Sequence, residues 1–507
     1  MSDDIHDLDE SLTRPLEGAA EASAAEGASS PAVGRDEWVA RHGERRTRRE
    51  GVLGTIEDRL RAVPWWAWLA LFVAVVCLLP IGFEGGYVRR VAFDTVVYML
   101  LALGLNVVVG WGGLLDLGYV AFFGVGAYTY ALLASEKFDL HLPPLVVIPI
   151  VVAVGAIVGF LVGLPSRRLV GDYLAIVTLF FQLIFFTTMT NADSVFGHNL
   201  TGGPNGILNI DPLSLFGRDL VVQHEGIFNV AYLYVAMAFF VVVYVALRFV
   251  NESRTGRAWR SLREDPLAAE LMGMPVNSLK LLAFAFGAAV AALTGSLFAS
   301  LNASVFPQTF AFALLITIYT MVILGGSGSQ AGVVVGAILV SVMLELLREP
   351  GDARMLFYPV VLLGLIAVFR LSIKLAVVLG GTLALGFVVH LVAKGIDDSW
   401  VSGTTADAGR LADWVSHWVV VPTQLESWIA PVSYISLVAL LLVLTLLRGW
   451  GRIALLIPTL YLAAFVWENV MLARPEPTRF IVLGAMLIAL MIIRPTGLLG
   501  EKRVQIV

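Results

Sequence analysis

NESRTGRAWRSLREDPLAAELMGMP, residues 251–275, is the longest strongly charged segment inside an otherwise apolar sequence. Arg254, Arg257, Arg260 and Arg263 recur at every third position, which on a helix draws a basic stripe that drifts slowly around the surface. Asp265 and Pro266 have the chemistry of an N-cap and a first helical residue, and Gly273 with Pro275 that of a stop. The spacing predicts a helix of about two turns between them. Ala269 and Gly273 share one of its faces, with Ala268 alongside, so a second protein can approach closely there. Two readings stand at this point: a docking knob for a partner, or a solvated positive loop on the inner side of a membrane.

Working outward, the composition fixes the class. The chain has 507 residues, of which 58% are hydrophobic and 14% charged, more apolar surface than a soluble domain can hide. Its 48 glycines favour helices packed through small residues over a barrel of alternating strands. The expected fold is therefore an all-α polytopic membrane protein. The single Cys77 excludes an internal disulfide and any thiolate cluster within one chain. There is no His/Cys metal spacing, no G-x-x-x-x-G-K-[ST] phosphate loop and no nucleophile elbow. If ATP drives this protein, another polypeptide binds it.

Residues 1–40 are rich in Ala, Ser, Gly, Asp and Glu without apolar periodicity, and disorder is expected there. Residues 41–63 form a basic lead-in carrying Arg45, Arg46, Arg48, Arg49 and Arg59, which places this end in the cytoplasm. Trp65, Trp66 and Trp68 follow as an interfacial anchor. Runs of about 17 to 23 apolar residues predict about fourteen spans: 66–82, 91–109, 114–134, 145–164, 173–190, 228–249, 279–301, 309–325, 331–347, 355–370, 373–393, 432–447, 453–471 and 479–493. Most connections on the starting side carry Arg or Lys, among them Arg167, Arg168 and Arg448. The tail ends Glu501-Lys502-Arg503, so both termini are expected inside. Arg89 and Arg90 run against the trend.

The stretch 99–134, MLLALGLNVVVGWGGLLDLGYVAFFGVGAYTYALLA, is unlike a plain lipid-facing span. Gly112 and Gly113 are expected to break its helix and expose backbone near membrane depth, which only protein or a water-filled path tolerates. Asn106 and Asp116 flank the break, with Gly118 just beyond. Asp116 is either a pathway carboxylate or a cap on the helix that follows. Asp94 and Glu345 read as side chains snorkelling to the interface. Gly325, Gly326, Ser327, Gly328 and Gly332 make a second glycine cluster, a tight turn or a flexible loop. Thr201–Gly206 makes a third, read as an ordered loop in the long outer connection.

Four blocks carry a family resemblance: LALGLNVVVGWGGLLDLGYVAFFGVGAY (101–128); GDYLAIVTL with LTGGPNGI (171–179, 200–207); SRTGRAWRSLREDPLAAELMGMPVNSLKLLAFAFGAAVAALTGSLFA (253–299); and LGGSGSQAGVVVGA (324–337), completed by RPTGLLG (494–500). Long, ordered and collinear, they resemble the LivM-type permease subunits of bacterial ABC importers for branched-chain amino acids. The resemblance implies an EAA-x-x-x-G coupling loop, 250–278, that seats in an ATPase subunit. Here it reads Leu267-Ala268-Ala269-x-x-x-Gly273, with Leu in place of Glu. Ala268, Ala269 and Gly273 are then the contact positions, with Arg260, Arg263 and Glu264 as flanking ion pairs. It also implies two ATPases that carry ATP-Mg, a second, LivH-like permease subunit and a periplasmic or surface binding protein. The setting is the bacterial inner membrane, with no nucleic acid and no cofactor bound by this chain.

The chain departs from that family after a permease core of 64–370. Residues 371–478 read as an insert of about four spans with Trp400, Trp414, Trp418 and Trp428, and the last span and tail occupy 479–507. Trp414 and Trp418, four apart, suit an interfacial helix. If these spans are peripheral, deleting 374–474 leaves transport intact. The expected function is solute import with no bond chemistry in this chain. Asn106, Gly112, Gly113, Asp116 and Gly118 line the candidate pathway, where the broken backbone offers polar groups and Leu, Val and Phe an apolar wall. Two alternatives remain: an ABC permease for urea or short amides, and an ion-coupled secondary transporter using Asp94, Asp116 or Glu345.

Overall fold

The computed structural model describes residues 63–500 apart from 83–85, 139, 167–168, 170, 194–198, 216–217, 220–229, 371, 404–409 and 425. The N-terminal tail, most of the basic lead-in, Arg167, Arg168 and Glu501–Arg503 lie outside the described residues. Contacts divide the chain after Phe72, and of the first unit only 63–72 are described.

The helices are α1 (Trp65–Gly82), α2 (Gly86–Leu105), α3 (Tyr119–Leu133), α4 (Pro144–Ser166), α5 (Asp172–Asn191), α6 (Val230–Glu252), α7 (Arg254–Glu264), α8 (Pro266–Leu271) and α9 (Val276–Asn302). They continue with α10 (Phe312–Gly325), α11 (Gln330–Leu346), α12 (Pro350–Phe369), α13 (Ile373–Ile396), α14 (Arg410–Ser416), α15 (Ile429–Leu446), α16 (Trp450–Val466) and α17 (Pro475–Ile493). An apolar helix stands at each of the fourteen expected positions. Ten helical segments among the described residues are long and apolar enough to cross a membrane. Trp65–Pro80, Tyr119–Leu133, Phe312–Gly325 and Gln330–Leu346 are shorter, so length supports ten crossings rather than fourteen. The chain is an all-α multi-pass membrane protein.

The core is built around α9, which packs on α2, α3 and α4. Lipid gives apolar helices no hydrophobic reason to associate, so close backbone approach has to supply the attraction. Gly155, Gly159 and Gly163 place a glycine every fourth residue of α4 against α9. A Cβ on Gly155 would strike the Ala292 side chain, one on Gly159 that of Ala288, and one on Gly163 would come 2.9 Å from Leu281. Thr201–Gly206 is an ordered loop, as expected. Thr201 Oγ1 donates to the Met189 carbonyl at 3.0 Å, and Ile207–Leu208 then pairs antiparallel with Ser304–Val305.

The segment after α12 is a second bundle in which α16 packs on α13 and α15. Of the tryptophan pair expected on an interfacial helix, Trp418 is 4% exposed and packed inside the protein with Val415, Val419 and Ala464, while Trp414 stays half-exposed. This bundle is fastened to α12 by a buried ion pair. Glu468 takes Arg354 Nε at 3.1 and 3.2 Å and Nη2 at 3.0 Å, Tyr358 donates to it at 3.0 Å, and Phe357 stacks on Trp467 at 4.3 Å. The segment 371–478, expected as an insert, is thus joined to α12 through buried side chains.

Candidate functional site

The charged stretch folds as its caps dictate. Ser253 caps α7, its hydroxyl accepting from the Gly256 N–H at 3.4 Å. Gly256, Trp259 and Leu262 make the buried face of α7, leaving most of the arginine stripe outside. Asp265 caps α8, one oxygen accepting from the Leu267 and Ala268 N–H groups at 2.8 and 3.0 Å, and Pro266 is the first helical residue. At the other end the Gly273 N–H donates to Glu270 at 2.9 Å and the Met274 N–H to Ala269 at 3.1 Å. This reverse turn needs a left-handed residue, and Gly273 has φ +79°.

The exposed tip differs from the expected one. Ala268 and Gly273 are exposed, but Ala269 is buried within its own chain at 4%. Leu267, Leu271 and Met272 project instead, at 66%, 80% and 81% exposure. The tip is thus apolar and open, beside the basic outer face of α7.

Arg263 turns away from this tip and into the protein. Its Nη1 donates to the Gly110 carbonyl and, at 3.4 Å, to that of Ser327, while Nη2 reaches Ser327 Oγ at 3.2 Å. It thus joins α7 to both glycine clusters. Trp259 stacks on Trp111 with centroids 6.3 Å apart, and its Nε1 donates to the Leu279 carbonyl at 2.9 Å. Trp111 Nε1 donates to Gly328 O at 2.9 Å, and the Gly328 N–H to Asn106 Oδ1 at 2.8 Å. The RPTGLLG tail closes the same junction, its Leu498 and Leu499 N–H groups donating to Leu324 and Gly325 at 2.9 and 3.0 Å. The second glycine cluster is therefore a clamped turn. Arg260 and Glu264 remain on the outer face, Arg260 donating to the Asn251 carbonyl at 3.2 Å.

The break in 99–134 is present and has a defined shape. After α2 the helix widens into a π-helical turn, Asn106–Trp111, and stops at Gly112. Such turns interrupt the hydrogen-bond ladder and are frequent at functional positions. Gly113 has φ +66°, and a Cβ there would sit 2.9 Å from Arg263 Cγ, so both conformation and space call for glycine. Asp116 is fully buried. One oxygen accepts the Gly118 N–H at 2.9 Å; the other has no hydrogen-bond partner among the described residues. Tyr319 brackets its backbone, its hydroxyl accepting from the Asp116 N–H at 3.0 Å and donating to the carbonyl at 2.7 Å. The carboxylate bonds the N–H of Gly118, the residue before α3, and no N–H within that helix, which has no side-chain cap; the expected cap is corrected to a local turn bond with one oxygen to spare.

The structure brings Asn106, Gly112, Gly113 and Arg263 together and sets Asp116 and Gly118 beyond the break. Sequence reasoning missed Trp259, Trp111 and Tyr319. The one available signal was the Gly256-Trp259-Leu262 face of an otherwise basic helix.

A family model described as the permease component of the branched-chain amino acid transport system matches residues 87–369. The high-affinity branched-chain amino acid permease proteins LivM of Salmonella typhimurium and Escherichia coli are each 38% identical over 284 residues, 52% of this chain and 65% of theirs. The probable LivM of Methanocaldococcus jannaschii is 26% identical over 296 residues, 55% of this chain and 80% of its own. The E. coli LivH permease protein is 24% identical over 254 residues, 48% of this chain and 80% of its own. No solved structure matches.

Proposed function

Because the chain belongs to the branched-chain amino acid transport permease family, we propose that it forms half of the membrane pathway of an ATP-driven importer for aliphatic amino acids. A LivH-like permease supplies the other half. Two ATPases that carry ATP-Mg grip the α7–α8 tip from the cytoplasm, and a binding protein delivers solute to the opposite face of the inner membrane. Leu267, Leu271 and Met272 are the apolar contacts for the ATPase, with Ala268 and Gly273 beside them. Ala269 instead seats α8 on its own chain.

The observation that carries this reading is the Arg263 junction. One guanidinium ties the exposed helix pair to the Gly110 carbonyl at the break and to Ser327 in the glycine turn. Displacement of the tip is thereby transmitted to the backbone of the candidate pathway. Nucleotide energy acts here only as differential stabilisation of two conformations. The names of the relatives point to branched-chain amino acids and not to urea or short amides.

Reconstitution with the ATPases, the second permease and the binding protein tests the proposal. ATP-dependent leucine accumulation is expected, and Leu271→Asp with Met272→Asp is expected to abolish both ATPase co-purification and uptake. Leucine accumulation by this chain alone, driven by a proton or sodium gradient, overturns it.

A further inference from the structure

A cavity of about 430 Å3 opens at the ends of α2, α10, α11 and α17 that lie away from the α7–α8 tip. Five charged side chains line it: Asp94, Glu345, Arg348, Glu476 and Arg479. Some of this charge is internally matched. Arg348 lies 3.5 Å from Glu345, and Arg90, just outside, lies 3.8 Å from Asp94. Arg479 and Glu476 are different: both line the cavity, and neither has an ion-pair partner among the described residues. Opposite charges left unpaired beside one cavity invite a ligand that carries both signs. The rest of the wall is apolar and includes Leu314, Leu344 and Phe480.

We infer that this cavity is an entry subsite for a free amino acid, its α-carboxylate on Arg479, its ammonium among Asp94, Glu345 and Glu476, and its aliphatic chain against Leu314, Leu344 and Phe480. A simple anion would face three carboxylates and a simple cation two guanidiniums, whereas a zwitterion answers both signs at once. The volume lies within the range of small-molecule pockets. The subsite rests on the import function proposed above and adds a place for the solute in this chain. The cavity beside the glycine break, lined by Gly112, Gly113 and Arg263 among others, is smaller, about 160 Å3.

The test uses the complete importer in liposomes, with photo-leucine as the probe and labelled peptides located by mass spectrometry. Labelling is expected on the outer turns of α10, α11 and α17, competed by leucine. Arg479→Gln is expected to remove it and to raise the half-saturating leucine concentration for uptake about tenfold or more, the loss of a charge-assisted hydrogen bond. Arg479→Lys is expected to restore part of both, and Asp94→Asn to weaken labelling without touching the arginine. Leucine uptake by the wild-type importer with labelling confined to other segments sinks the subsite and leaves the import function standing. Absence of leucine uptake sinks the import function instead. Labelling that vanishes when phosphatidylethanolamine is added to the liposomes, with uptake unchanged, assigns the cavity to a lipid headgroup and overturns the proposal.

Discussion

Two arginines hold this protein together in opposite ways. Arg354 is 2% exposed at its side chain and meets a carboxylate, Glu468, that is 1% exposed. Arg263 is half-buried and is held by the carbonyls of Gly110 and Ser327 and the Ser327 hydroxyl. A buried ion pair is all-or-none, because the loss of either partner strands a charge where water cannot reach it. A guanidinium on backbone carbonyls can exchange them for water or for other carbonyls at modest cost. The first arrangement suits a permanent joint between the core and the added bundle. The second suits a joint that must change shape.

The sharpest way to break this comparison is Glu468→Ala. It is expected to destabilise the protein by about 3–5 kcal/mol, read as a lower melting temperature in detergent. The double variant Arg354→Met with Glu468→Met should recover most of that loss. Equal melting of the wild type and the single variant would refute the permanent joint. Deleting 374–474 should fail in assembly for the same reason.

Next in size is Arg263→Ala, which leaves backbone acceptors unpaired at a cost of about 1–3 kcal/mol. Its larger effect is expected on function: ATP hydrolysis by the assembled importer continues while leucine uptake falls. Retained coupling would show that the tip moves the pathway by another route. Gly273→Ala follows. No atom lies within 4 Å of the added Cβ, so its cost is the left-handed backbone alone, about 1–2 kcal/mol. Uptake should drop several-fold at normal membrane insertion, and an unchanged rate would mean that the α8 turn tolerates reshaping. The smallest stability effect belongs to Asp116→Asn, whose remaining carbonyl can still accept from the Gly118 N–H. Uptake should fall with yield unaltered; parallel loss of both would make the turn bond to Gly118 its sole role.

The sequence by itself determined the apolar helices, the Asp265-Pro266 start of α8, its Gly273 stop and the break at Gly112–Gly113. These depend on hydropathy, caps and backbone freedom, which act over a few neighbouring residues. It also carried the family. Only the tertiary structure decided that Ala269 faces inward while Leu271 and Met272 face out, since a short helix shows which side is covered only once it is docked. The same holds for the contacts of Arg263 with Gly110, of Gly328 with Asn106 and of Arg354 with Glu468, which join residues 153, 222 and 114 positions apart. No local pattern encodes such a meeting, because the energy that fixes each pair exists only after the intervening helices have packed.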